Sequence, residues 1–134
     1  MTWFQRKGNK YGAKKTNING YIYDSKKEAT RGQELELLLR AREIIGFNRQ
    51  TKISFDVCRI CKRLCSERCE YHPNQKVFHI TNYFIDFVVE ENDETETYEE
   101  VKSKATKTDV WRIKWKLTEA LFGDDPKKKL VVID

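Results

Sequence analysis

The 134-residue chain has no hydrophobic stretch long enough to span a membrane, and its N-terminus lacks the apolar core of a signal peptide. Both absences predict a cytoplasmic protein. No internal repeat is visible, which excludes solenoid and array architectures. Acid is missing from residues 1–23, which carry Arg6, Lys7, Lys10, Lys14 and Lys15. Histidine is scarce at two residues, and all four cysteines fall within one short segment, Cys58 to Cys69. A chain of this length without a compositional break reads as a single domain, 1–134, with a moderate core and a basic N-terminal arm over 1–15.

The formal charge is +5, and its distribution says more than its total. The stretch from Glu90 to Glu100 is acidic, and a second basic block follows with Lys102, Lys104, Lys107, Arg112, Lys114 and Lys116. Basic surfaces flanking an acidic centre suit a protein that grips phosphates around a metal site. Lys10, Lys14, Lys15, Lys104, Lys107 and Lys114 are the candidate DNA contacts. A run of charge taken alone is equally a solvated face.

Periodicity predicts an α/β order. Asn19-Gly20 signals a hairpin turn inside a small ribbon, 16–23. A helix is predicted from Lys26 to Ile45, with Leu35, Leu38, Leu39, Arg42 and Ile45 at helical spacing and Gly46 as terminator. Strands are predicted over Lys52 to Val57, Val77 to Val89 and Thr95 to Lys102. Thr108 caps a second helix, Asp109 to Phe122, and Lys129 to Ile133 is a last strand. The core order is α-β-β-β-α-β.

Within Tyr83 to Val89 the apolar run is broken once, by Asp86. A carboxylate in such surroundings is costly without compensation. On the following strand, alternation puts Glu100 and Lys102 on one face. Two carboxylates on adjacent strands can hold Mg2+ or Mn2+ through hard oxygens, and a lysine one pleat on places an ammonium beside the attacking water. The Val101 carbonyl is an expected extra ligand. Glu28 lies seven residues before Leu35, on the buried helix face near its start. It has two readings: third acid of the site, or partner of Ser25 in a capping box. Gln50 and Lys114 are expected to assist from the edges. Asp86 could instead be a buried aspartate satisfied by Arg or backbone donors, and Glu100 with Lys102 a surface pair. The order Glu, Asp, Glu-x-Lys is more specific than any one member.

The cysteines form a second constellation in an insert spanning about 58–76. Cys58 and Cys61 make a C-x2-C knuckle, followed by Cys65, Cys69 and His72. Clustered thiols in a cytoplasmic chain read as structural zinc rather than as disulfides. Cys58, Cys61 and Cys69 belong to either plausible set, and the fourth ligand is Cys65 or His72. Arg59, Lys62, Arg63 and Arg68 give this insert its own phosphate-binding charge.

These residues and their order resemble the PD-(D/E)XK nuclease superfamily, with Asp86 at the motif aspartate and Glu100-Val101-Lys102 at the (D/E)-x-K. More narrowly, the segments 10–16, 23–29, Gln50, 83–87 and 99–102 resemble a family of small phage proteins of uncharacterised function. The resemblance implies a restriction-endonuclease-like α-β-β-β-α-β core with a mixed sheet, catalysis by Glu28, Asp86, Glu100 and Lys102 with magnesium, and the host cytoplasm as location. It also implies kinship with Holliday-junction resolvases, hence branched or double-stranded DNA as partner and a homodimer making two symmetric cuts. The departure is Ile85 in place of the motif proline. Two other classes compete: a non-catalytic DNA-binding recombination accessory protein with a zinc module, and a zinc-dependent interaction module, which leaves Asp86 unexplained.

Overall fold

The computed structural model describes residues 15–18 and 20–134. The predicted arm with Lys10 and Lys14, and Asn19 of the predicted turn, therefore lie outside the described residues. Strands β1 (Thr16–Ile18) and β2 (Tyr21–Tyr23) form the predicted ribbon, paired antiparallel, with Gly20 at φ 83° in its turn. No helix among the described residues is long and apolar enough to cross a membrane.

Helix α1 covers Lys26–Arg40, so the predicted extension to Ile45 is incorrect. Arg42 adopts φ 60°, and the N–H groups of Arg42 and Glu43 return to the carbonyls of Leu39 and Leu38 at 3.1 and 2.9 Å. That is a Schellman ending built on arginine instead of glycine. Gly46, the expected terminator, instead sits in strand β3 (Ile44–Cys58), beside a register shift between Ile44 and Gly46. The predicted strand over 52–57 is thus the second half of a 15-residue strand. Of the residues assigned to the helix's apolar face, Leu35 is buried, while Leu39 and Ile45 are exposed.

Strand β5 (Val77–Glu91) pairs antiparallel with β3 from Ile44↔Glu91 to Cys58↔Val77. The cysteine insert leaves from the far tip of this long ribbon and adds the two-residue strand β4 (Leu64–Cys65) at the edge. Strand β6 (Glu96–Val101) pairs antiparallel with β5, and β7 (Lys128–Ile133) lies parallel to β6. A parallel neighbour needs a crossover, and helix α2 (Asp109–Phe122) supplies it. The five-stranded sheet has the order β4-β3-β5-β6-β7 and is mixed. Without the ribbon and the insert, the elements run α-β-β-β-α-β, in the predicted order.

Each helix covers its own part of the sheet. Leu35 and Ala29 of α1 pack with Tyr23, Ile44, Phe87, Val89 and Val101. Trp111 of α2 packs with Ile53, Phe55, Tyr83, Ile85, Val88 and Tyr98. Phe87 and Val89 thus face α1, whereas Tyr83 and Ile85, of the same parity on the same strand, face α2. The ribbon exchanges faces between Ile85 and Phe87. At that point the register passes from Thr51↔Ile85 to Arg49↔Phe87 with no Gln50↔Asp86 pair, and Gln50 takes φ 49°. Left-handed backbone in a non-glycine residue is ordinary at turns and helix ends, as at Arg42, but Gln50 adopts it inside a strand.

Candidate metal and carboxylate centres

The face exchange places Asp86 where three elements meet. Glu28 arrives from the first turn of α1, Gln50 from β3, and Glu100 and Lys102 from the end of β6. The Gln50 amide donates to Glu28 Oε2 at 3.1 Å and to Asp86 Oδ1 at 3.0 Å. Asp86 Oδ2 accepts the Val101 backbone N–H at 2.9 Å. Lys102 Nζ stands 3.9 Å from Glu100 Oε2 and 5.5 Å from the centre of the Trp111 ring. Ser25 Oγ accepts the Glu28 N–H at 3.1 Å and so caps the helix, while the Glu28 carboxylate turns to Gln50. The cap is real, and it leaves the acid available to the cluster.

Fully ionised, the acids would carry more negative charge than one ammonium offsets. Glu100 is 1% exposed, and Oε1 is buried without a hydrogen-bond partner. Burial first, and then the Asp86 carboxylate, push Glu100 up to about 9. Burial and Asp86 likewise raise Glu28 to about 7. Asp86 is raised by burial in spite of the Val101 N–H and the Gln50 amide. Three carboxyls that resist ionising, with one buried oxygen unpartnered, are the condition a hard cation relieves.

A surrounding frame holds this geometry. Arg31 of α1 donates to both oxygens of buried Glu99 at 2.8 and 2.7 Å, a bidentate pair that locks the helix on β6. Lys27 Nζ donates to the Lys102 carbonyl at 3.0 Å. On the other side the Trp111 indole N–H donates to the Tyr83 hydroxyl at 2.8 Å, and Tyr83 is raised by burial and then by the nearby Glu100. Tyr83, Trp111 and Arg31 are long-range partners with no spacing that announces them. Val101 itself packs its side chain into the α1 layer.

At the ribbon tip Cys58, Cys61, Cys69 and His72 converge, their ligand atoms all within 4.8 Å of one another. The Cys61 and Cys69 sulfurs are 3.7 Å apart, and His72 Nδ1 lies 3.6 Å from Cys58 and 3.9 Å from Cys69. A tetrahedral ion with arms of about 2.3 Å to sulfur has edges of about 3.8 Å, so the four groups match such a metal. Backbone N–H groups, that of Cys61 foremost, hold the Cys58 thiol below its ordinary pKa. Cys65 is buried in β4 opposite Asp56, outside the cluster, and burial raises its thiol. The structure therefore brings together His72 rather than Cys65 with the other three. Among the described residues no other group of three or more acids, histidines or cysteines comes this close. Glu28, Asp86 and Glu100 do not, because the Gln50 amide is wedged between the first two.

The predicted phosphate contacts fare unequally. Lys15 and Lys104 are exposed. Lys107 is held by Asp134 at 2.7 Å, and Lys114 donates to the Asn82 carbonyl at 3.2 Å rather than to the acids. An unanticipated pair lies beside the insert: buried Asp56 accepts from His79 Nδ1 at 2.7 Å, from Ser54 Oγ at 2.8 Å and from the Glu67 N–H at 2.7 Å. Ser54 Oγ reaches the same ring nitrogen, at 3.1 Å, so the three do not form a nucleophile relay. Asp56 pins the insert to the ribbon. The signal for it was present, since Asp56 interrupts Phe55 and Val57 as Asp86 interrupts its own run.

A family described as "Protein of unknown function (DUF1064)" matches residues 8–130. No curated protein and no solved structure matches the chain.

Proposed function

The chain belongs to DUF1064, and we propose that it is a metal-dependent DNA endonuclease of the PD-(D/E)XK type with a restriction-endonuclease-like core. The observation that carries this reading is Glu100 Oε1, buried and unpartnered beside Asp86 with the Lys102 ammonium at its edge. Asp86 and Glu100 supply the oxygens for Mg2+ or Mn2+. Glu28 stands one step out, reached through Gln50. A divalent ion held there would lower the pKa of a bound water and offset charge at phosphorus. Lys102, held between Glu100 and the Trp111 face, orients the attacking water. In the metal-free site burial and Asp86 raise Glu28 to about 7, so that it can hold or release a proton there at neutral pH. The Cys3His set takes zinc, four soft and borderline donors closing a structural site that folds a loop poor in apolar residues.

Branched DNA such as a four-way junction is the proposed substrate, cut by a homodimer that presents two active sites. Cleavage of labelled linear, nicked and four-way DNA with Mg2+ or EDTA tests both parts. Loss of all cleavage in Asp86→Asn supports the site, and equal cleavage of linear and four-way DNA by a monomer rejects the resolvase role alone. One observation favours a second reading, a DNA-binding accessory protein without turnover. The Gln50 amide already bridges Glu28 and Asp86 where a third metal ligand would approach. Tight DNA binding with no Mg2+-dependent cleavage on any substrate would select it.

A further inference from the structure

Beyond the face exchange, one face of the β3–β5 ribbon carries Ile53, Phe55, Tyr83 and Ile85 in the α2 layer. The other carries the register pairs Lys52↔Phe84, Ser54↔Asn82 and Asp56↔His79. No helix covers it among the described residues: Lys52, Phe84, Asn82 and His79 are all exposed, Phe84 at 51%. Phe84 starts this strip two residues from Asp86, about 7 Å along the strand. The strip ends at His79, whose Nδ1 is engaged by Asp56.

We propose that this open face is the track of an unpaired nucleic-acid strand, with a base stacked on Phe84 and a phosphate met by Lys52. It rests on the nuclease reading for its end point, the carboxylate centre, and not on the four-way junction, whose arms are all paired; it fits a branched DNA that carries an unpaired arm. An apolar protein partner would want a contiguous apolar patch, whereas Phe84 stands directly opposite a lysine and beside Asn82 and Ser54. One aromatic ring opposite a lysine and beside small polar groups, with Ile80 the only other exposed apolar side chain between Phe84 and His79, is the composition of a stacking platform. Stacking selects the unpaired strand, because a base inside a duplex has no free face to offer. Continuity does the rest. The strip leads from a charged insert at the tip straight to Asp86, so a single-stranded arm or flap laid on it delivers its junction to the carboxylates.

The test is fluorescence anisotropy of labelled oligothymidylate and of a short duplex, with Ca2+ in place of Mg2+. Phe84→Ala is expected to weaken oligothymidylate binding about tenfold or more, to leave duplex binding within about twofold, and to be rescued by Phe84→Trp. Lys52→Ala should lower the slope of log affinity against log salt by about 1 for the single strand. Equal affinities of Phe84→Ala and the parent protein for oligothymidylate would overturn the track, as would equal losses on both DNAs. Cleavage is scored separately. Mg2+-dependent cutting abolished by Asp86→Asn alongside an inert Phe84→Ala keeps the nuclease and removes the track, and no cutting with Phe84-dependent binding does the reverse.

Discussion

Asp86 and Val101 share a side-chain-to-backbone hydrogen bond, 2.9 Å from the Val101 N–H to Oδ2, at the point where pairing between β5 and β6 stops at Phe87↔Glu99. The carboxylate stands in for the carbonyl that a continued ladder would have offered. This fixes one oxygen of Asp86 in place and holds the strand segment that carries Glu100 and Lys102. The other oxygen is held by the Gln50 amide, at 3.0 Å.

An isosteric change can therefore separate chemistry from scaffold. Asp86→Asn keeps an oxygen for the Val101 N–H and sets its NH2 toward Gln50, whose amide can turn its own oxygen to accept it; it should fold, with cleavage reduced at least about a hundredfold. Glu100→Gln should lose cleavage to the same extent while raising the melting temperature of the metal-free protein, because a neutral amide replaces a buried acid with an unpartnered oxygen. Thermal melts and cleavage rates of both variants check this, and full activity in either sinks the carboxylate centre.

Gln50 combines a left-handed backbone with a bridging amide. Gln50→Ala should lose the bridge and keep the strain, costing about 1–3 kcal/mol. Gln50→Gly also loses the bridge, but glycine adopts φ 49° freely and should be the more stable of the two by about 1 kcal/mol. Urea unfolding gives the order directly. Alanine above glycine would mean that the backbone here carries no strain.

How far the sequence disclosed the site depends on whether the signal was local. Asp86 stood out as the one charge in an apolar run, and alternation over three residues paired Glu100 with Lys102. Glu28 was placed on the buried face by its distance to Leu35. Gln50 could not be ranked this way, because its importance comes from the face exchange, a property of two strands twisting together. Nor could the Schellman ending, where Arg42 takes the place expected of glycine and stops the helix five residues before its apolar periodicity ends. The choice between Cys65 and His72 depended on β4: pairing with β3 sets Cys65 opposite Asp56 and leaves His72 to complete the cluster.

That cluster gives a composition test. Protein made under reducing conditions with zinc supplied should hold about one zinc per chain. Cys58→Ser and His72→Ala should lose the metal and expose the insert to proteolysis, whereas Cys65→Ser should keep it. Elemental analysis that finds zinc lost from Cys65→Ser but kept in His72→Ala would reverse the ligand set.

The raised carboxyls also make stability depend on pH in a direction opposite to ordinary ion-paired acids. Glu28 and Glu100 have folded pKa values of about 7 and about 9, above the ordinary 4.5 of an unfolded glutamate. Between those limits the folded state holds protons that the unfolded state has released. Stability of the metal-free protein is therefore fully present below about pH 4.5 as far as these groups are concerned, and it declines as pH rises through 7 to 9. A divalent ion at Asp86 and Glu100 displaces those protons and binds better as pH rises. Mg2+ or Mn2+ should thus raise the melting temperature more at pH 8.5 than at pH 6, with Glu100→Gln losing most of that difference. Differential scanning fluorimetry at the two values, in protein whose Cys3His site is loaded, makes the comparison. A metal increment equal at both pH values would show that Glu100 is not among the groups the cation deprotonates.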